Sequence, residues 1–328
     1  MIRFLFLSTP CLTRRTENLL RFLSIAGLLL LFGCSERDKP LVFEAGFISR
    51  GVVENPSDII RYNGKYIIPE IYNNRLAIID SIDAKANEVT YFDGKNIGKE
   101  IKAPHNLAIS PWGTLLVSNG WGSSIFEIDG LDGSGWQEFF GIDKKLRAPH
   151  GICVDKEGWI YVGDSLNSRL VRFKDMQGKD WQVFADHDKK ISYVRQLVCN
   201  EDGVWAANSY EKRKGLNPGQ GSNALLISDF NSGKVQEIVK VPGDNMVGVQ
   251  PLDDQIAITL WHGYPNIGIF EKQNQNNVIK FTDFPLELGT PYSVYHESDK
   301  NRMIFAFFGA LKDKGKANPG GLAELKIR

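Results

Sequence analysis

The sequence predicts an all-β fold, a six-bladed β-propeller of four-stranded antiparallel blades, and three observations carry that prediction. Residues 103–128 (APHNLAISPWGTLLVSNGWGSSIFEI) and 148–173 (APHGICVDKEGWIYVGDSLNSRLVRF) follow one pattern position by position. Four fainter copies continue it. With Pro56, Pro104, Pro149, Val194, Asn245 and Pro291 in register, the spacing is about 45–51 residues, the length of a propeller blade. Within each copy, apolar residues alternate with polar ones between Gly, Asp and Asn turns, the pattern of short antiparallel strands.

Taken in chain order, the first element differs in kind from the rest. Arg14 and Arg15 precede the apolar run at residues 19–32, which ends at Gly33 and Cys34. Basic, then apolar, then small is the order of a secretory signal, and the uninterrupted apolar part is short for a membrane span. Leu31-Phe32-Gly33-Cys34 resembles a bacterial lipobox, which implies a signal peptide over 1–33 and lipidation of Cys34. The expected location is therefore an exported, membrane-anchored lipoprotein, in the outer membrane facing the periplasm or the surface, with the lipid as its only membrane contact. Residues 34–40 form a short polar linker, and 41–328 form one propeller. Residues 41–47 (LVFEAGF) are expected to pair with 321–327 and close the ring.

Each strong copy opens with Ala-Pro-His and runs through an alternating strand (Leu107 and Ile109; Ile152 and Val154). It turns at Gly113 or Gly158, enters a second strand, turns through small polar residues and begins a third. A single blade exposes apolar faces that only a neighbour can cover, so the copies must stack, and the stack must close. The string PHGICVDKEGWIYVGDSLNSRLVRF resembles an NHL repeat, the unit of six-bladed propellers related by fold to gluconolactonase and to the peptidylglycine amidating lyase. That resemblance implies the fold and leaves the function open, since such propellers host binding modules, hydrolases and lyases. Blades five and six depart from it, with Leu260 and Phe307 where the strong repeat has Asp164.

The chain carries 39 basic and 39 acidic side chains, so its formal net charge is zero and nothing favours nucleic acid as a partner. Of four cysteines, Cys11 falls in the leader and Cys34 in the lipobox. Cys153 and Cys199 fall on equivalent inner strands of neighbouring blades, one position apart in register. They are expected as two small buried thiols, with a disulfide as the alternative. No CxxC, GxSxG, P-loop, HExxH or Rossmann glycine pattern occurs.

In a propeller the innermost strands line a central channel, so position in the repeat maps the channel mouth. At the entry position, just before the innermost strand, the register places Ser57, His105, His150, Arg195, Asn245 and Tyr292. At the end of the second strands it places Glu70, Asn119, Asp164, Asn208, Leu260 and Phe307, with Tyr72, Trp121, Tyr210, Trp261 and His262 beside them. An acid-amide half thus faces an apolar half, an arrangement that orients an amphipathic ligand. Arg195 suits a carboxylate, and Trp121 and Trp261 suit ligand contact. His105, His150 and His262 are the candidate ligands of one divalent metal, Zn or Ca. Gluconolactonase-like propellers hold a divalent cation at such positions, and the amidating lyase arranges histidines around its channel. The alternative is that Pro-His is a loop motif and that Asp164 and Asn119 cap turns. Two basic inserts, 211–222 and 312–321, are either solvated turns or lids.

Three functions follow. The leading one is a propeller that binds a small anionic, carbohydrate-like or peptide ligand at the mouth, with Arg195, Asn245, Tyr292, Asn119, Asp164, Asn208, Trp121 and Trp261 in contact. The second is a metal-assisted lactonase or lyase with His105, His150 and Glu70 as catalytic groups. The third is a scaffold for a protein partner.

Overall fold

The computed structural model describes residues 43–186, 188, 190–209, 222–229, 234–241, 245–261, 266–272, 278–281, 288–309 and 320–327. The leader, Cys34 and the linker lie outside that set, as do His262, Tyr210 and most of both basic inserts.

Six four-stranded antiparallel sheets follow one another along the chain. Blade one comprises Ile60–Tyr62, Lys65–Glu70, Arg75–Ile79 and Thr90–Phe92. The innermost strands of blades two to six are Pro104–Ile109, Pro149–Val154, Tyr193–Asn200, Met246–Pro251 and Thr290–Glu297. Blade six has only three strands of its own, and Phe43–Arg50 supplies the fourth by pairing antiparallel with Gly320–Ile327. The clasp therefore starts at Phe43 and extends past the expected residue 47 to Arg50.

The cores lie between blades rather than within them. Ile67, Leu76 and Phe92 of blade one pack with Leu115, Val117, Phe126 and Ile128 of blade two, and the opposite face of blade one packs on Ile304, Ala306 and Leu322 of blade six. Alternation along each strand sends apolar side chains to both neighbours. The junction of blades six and one also carries charge. Glu297, buried, meets Arg302 Nη2 at 2.6 Å, Lys300 Nζ at 3.1 Å and the Tyr66 hydroxyl at 2.8 Å.

Two expectations are corrected. In blade five Met246 pairs with Leu260, as Pro104 pairs with Asn119 and Pro149 with Asp164. Met246 is therefore the counterpart of Pro104 and Pro149, Val247 that of His105 and His150, and Asn245 precedes the strand. Blade five has no Pro-His to mark its start, so the register was legible there only to within two residues. Cys153 and Cys199 form a disulfide, with Cα atoms 5.6 Å apart, rather than two thiols. The cause is local: a Cβ on Gly151 would lie 2.9 Å from the Leu197 backbone nitrogen. This glycine lets the innermost strands of blades three and four approach closely, within reach of the two sulfurs.

Candidate functional site at the channel mouth

Every innermost strand carries one extra residue at the same place. Between Pro104 and Leu107 two residues oppose one on the second strand, and equivalent shifts of one residue occur after Pro149, Val194, Met246 and Pro291. In blade one the bridge from Pro56 to Glu70 and the pair Ile60–Ile67 leave the same surplus. A bulge re-aims the side chains beside it. Six in a ring present Ser57, His105, His150, Arg195, Val247 and Tyr292 at one end of the channel.

The two histidines meet face to face, with ring centroids 3.7 Å apart and planes 25° from parallel. The Ala148 carbonyl can only accept, so His150 Nδ1 carries the proton and donates to it at 2.8 Å, leaving Nε2 to accept from the Tyr193 hydroxyl at 3.1 Å. A second chain runs from Arg195 Nη1, which donates to the Tyr292 hydroxyl at 3.0 Å, to His105 Nδ1, 3.4 Å beyond that oxygen. Burial, then the neighbouring His150 and Arg195, hold His105 well below the usual histidine value. Burial and Arg195 push His150 down to about 3. Both rings are neutral at physiological pH.

That geometry bears on the metal expectation. Imidazole lone pairs lie in the ring plane, so two stacked rings aim them side by side rather than at one point. Both nitrogens of His150 are already bonded. Among the described residues no group of three or more His, Cys, Asp or Glu side chains is placed to hold a metal ion.

The polar residues ending the second strands of blades one to four share one task. Glu70, Asn119, Asp164 and Asn208 each accept a backbone N–H from a residue just ahead of their own innermost strand: Glu54 at 2.8 Å, Lys102 at 2.6 Å, Arg147 at 2.8 Å and Ser192 at 2.8 Å. Each also holds the following turn, Glu70 through Arg75 Nε at 2.6 Å and Asp164 through Arg169 Nε at 2.6 Å. The four side chains act as latches within their blades, and their oxygens are turned to the loops. Leu260 and Phe307 replace the latch in blades five and six, and there the mouth is apolar.

Phe308, Tyr292, Ile71 and Ala103 form the apolar cluster of the rim, with Trp261 packed against it. Tyr72 lies 5.5 Å from Phe308 and 6.2 Å from Trp121, centroid to centroid. The Arg195 guanidinium carbon sits over the rings of Tyr193, Trp261 and Tyr292 at 4.8, 5.3 and 5.9 Å. Arg195 is half-buried, while Tyr72 is 40% and Trp121 63% exposed. The mouth thus offers one guanidinium framed by aromatic faces, with two further rings open to solvent.

Two contributors escaped sequence reasoning. Tyr193 fills the slot that Ala103 and Ala148 fill in the strong copies, and its signal was that break in the Ala-Pro-His pattern. Gly120 lets His105 into place: a Cβ there would lie 2.5 Å from His105 Cδ2 and 3.0 Å from the Ala103 carbonyl.

The NHL repeat model matches residues 146–173, the third blade. No curated protein matches the chain by sequence. Similar solved structures include virginiamycin B lyase from Staphylococcus aureus, 17% identical, covering 88% of this chain and all of that one, with a TM-score of 0.57. PQQ-bound aldose sugar dehydrogenase from Streptomyces coelicolor is 12% identical over 88% of this chain and 99% of that one, at 0.63. A putative gluconolactonase is 10% identical over 87% and 92%, at 0.60. The chain is therefore a six-bladed β-propeller carrying an NHL repeat, with the fold of the virginiamycin B lyase and gluconolactonase-like propellers.

Proposed function

We propose that the protein is an exported, lipid-anchored binding propeller that captures a small anionic ligand, a carboxylate with a planar or apolar body, at the channel mouth. The observation that carries this reading is Arg195, set among Tyr193, Trp261 and Tyr292 beside the exposed Trp121 and Tyr72. Guanidinium pairs with carboxylate through two parallel hydrogen bonds, and exposed aromatic faces take a flat ligand body. Export is supported by the sequence of the leader and by the Cys153–Cys199 disulfide, which suits an oxidising compartment. The test is calorimetric titration with indole-3-acetate and benzoate against their amides. Arg195→Met should weaken the carboxylates roughly tenfold to a hundredfold and leave the amides alone. Equal binding to the variant would remove the proposal.

A catalytic reading, a metal-assisted lactonase or lyase using His105, His150 and Glu70, draws support from the neutral imidazoles beside an anion-binding guanidinium. Against it stand the stacked rings and the engagement of Glu70 with Arg75. Elemental analysis of wild type and a His105→Ala/His150→Ala variant separates the two, because only the catalytic reading requires a metal lost on that substitution.

A further inference from the structure

The strand that closes the ring also fixes where the chain enters it. Phe43 pairs with Ile327, whose backbone N–H donates to the Asn301 carbonyl at 2.9 Å and whose own carbonyl accepts from Asn301 Nδ2 at 2.6 Å. Asn301 lies in the hairpin that joins the first two strands of blade six, on the face opposite the mouth. The other end of the clasp lies at the mouth: the Gly51 N–H donates to the Gly320 carbonyl at 3.3 Å, and Gly320 pairs with Phe308 of the rim. Phe43–Arg50 therefore begins on the far face and runs toward the mouth.

Aromatic exposure alone does not distinguish the two faces as membrane contacts. The mouth exposes Trp121, and the far face exposes Trp112, half of whose surface is open on the hairpin between the first two strands of blade two. The Trp112 indole Nε1 donates to the buried Glu127 carboxylate at 2.8 Å, and its ring lies over the next hairpin, where a Cβ on Gly158 would stand 3.0 Å from it. An indole with its N–H satisfied and its ring open suits a membrane–water boundary. The tether decides between the faces. Cys34 and Phe43 are nine residues apart, a separation that spans about 30 Å at most. To set the mouth on a bilayer that holds Cys34, that segment must return along the whole of Phe43–Arg50, eight residues and about 25 Å. To set the far face there, no return is needed.

We infer that the far face rests on a zwitterionic phospholipid surface, with Trp112 among the headgroups and the mouth turned to the aqueous phase, an inference that stands on the lipid-anchored reading above. The charges of the face favour a zwitterionic surface over a strongly anionic one. Its basic side chains are held by acids of the same face: Lys65 by Asp80 at 2.6 Å, Lys272 by Asp202 at 2.8 Å and Arg61 by Asp299 at 3.1 Å. Paired in this way they offer anionic lipid no concentrated positive patch, so the tether and the indole supply the contact. The orientation also narrows the ligand class. A mouth that opens away from the bilayer takes carboxylates dissolved in water, and the lipids of the anchoring membrane lie on the wrong side of the ring.

The test is tryptophan fluorescence of the full chain, produced in an exporting bacterial host and reconstituted into phosphatidylcholine vesicles with and without brominated acyl chains. Brominated lipid should quench the wild type, Trp112→Phe should lose most of that quenching, and Trp121→Phe should lose none. Iodide in the bulk phase should show the reverse, with its quenching lost in Trp121→Phe. Should Trp112→Phe fail to fold, Trp121→Phe decides alone: unchanged lipid quenching supports the orientation, and lost quenching overturns it. Lipid quenching that survives Trp112→Phe, or vesicle-bound protein that brominated lipid does not quench, overturns the orientation and leaves the anchor standing. Protein that does not float with vesicles, or that floats equally well as Cys34→Ala, removes the anchored reading and this orientation with it.

Discussion

The Cys153–Cys199 bridge gives the sharpest quantitative test, because its expected effect can be worked from one number. It joins residues separated by 46 in sequence, so it removes from the unfolded chain the freedom of a loop of that length. The chain-entropy relation puts that at about 4 kcal/mol at 25 °C, with measured disulfides commonly delivering 2–4. For a domain of this size each kcal/mol moves the melting temperature by about 2–4 °C, so the bridge should be worth roughly 5–15 °C. Cys153→Ala/Cys199→Ala should lower the urea midpoint accordingly, and reductant should lower the wild-type midpoint without affecting the variant. Both sulfurs sit in the core shared by blades three and four, so the variant also loses a little packing, about 1 kcal/mol, which the reductant comparison subtracts. Two more titratable thiols in the unfolded, unreduced wild type than in the Cys153→Ala/Cys199→Ala variant, together with a wild-type curve indifferent to reductant, would refute the argument.

Protonation gives a second test with a definite sign. His105 and His150, held below the ordinary value of 6.5, contribute stability that is present above that value and lost as pH falls. Asp58, raised from 3.8 to about 7, acts the opposite way: it favours the fold at low pH and loses that effect as pH rises through its folded value. Between about pH 4 and 6.5 the effects oppose each other, so Asp58→Asn should steepen the acid loss of stability by up to about 1.4 kcal/mol per pH unit, read from urea midpoints. An unchanged slope would contradict this. Glu297→Gln should cost about 2 kcal/mol at the junction of blades six and one, because Arg302 keeps Glu324 but Lys300 and Tyr66 lose their carboxylate. Thermal unfolding checks it. Gly120→Ala should shift the His105 ring resonances and weaken carboxylate binding at the mouth, and a spectrum like wild type would show that the close approach of that glycine is unimportant.

The strands were legible because their signals are local. Gly113 and Gly158 lie at positive φ in the hairpin turns where the sequence places them, and alternation separates the faces between them. The turn-capping alternative for Asn119 and Asp164 was legible for the same reason, since an acid or amide followed by small residues bonds nearby backbone. What the sequence withheld depends on three-dimensional approach. The extra residue per inner strand has no motif of its own, and without it the mouth residue of blade five was placed at Asn245 instead of Val247. The stacking of His105 on His150 depends on side-chain torsions and on the gap left by Gly120. The disulfide depends on Gly151, which reads in sequence only as a small residue inside a strand.

The clasp between Phe43–Arg50 and Gly320–Ile327 sets the order of events in biosynthesis. Its two halves are the first and the last strands described, so the ring stays open until Gly320–Ile327 has been made. Until then the earliest strand has no mate, and two unfinished molecules at high local concentration could exchange clasps. The same adjacency of Phe43 to Ile327 invites circular permutation of the propeller: a short peptide could join these two residues while new termini are cut at a hairpin such as the one at Gly158, moving the seam to another blade.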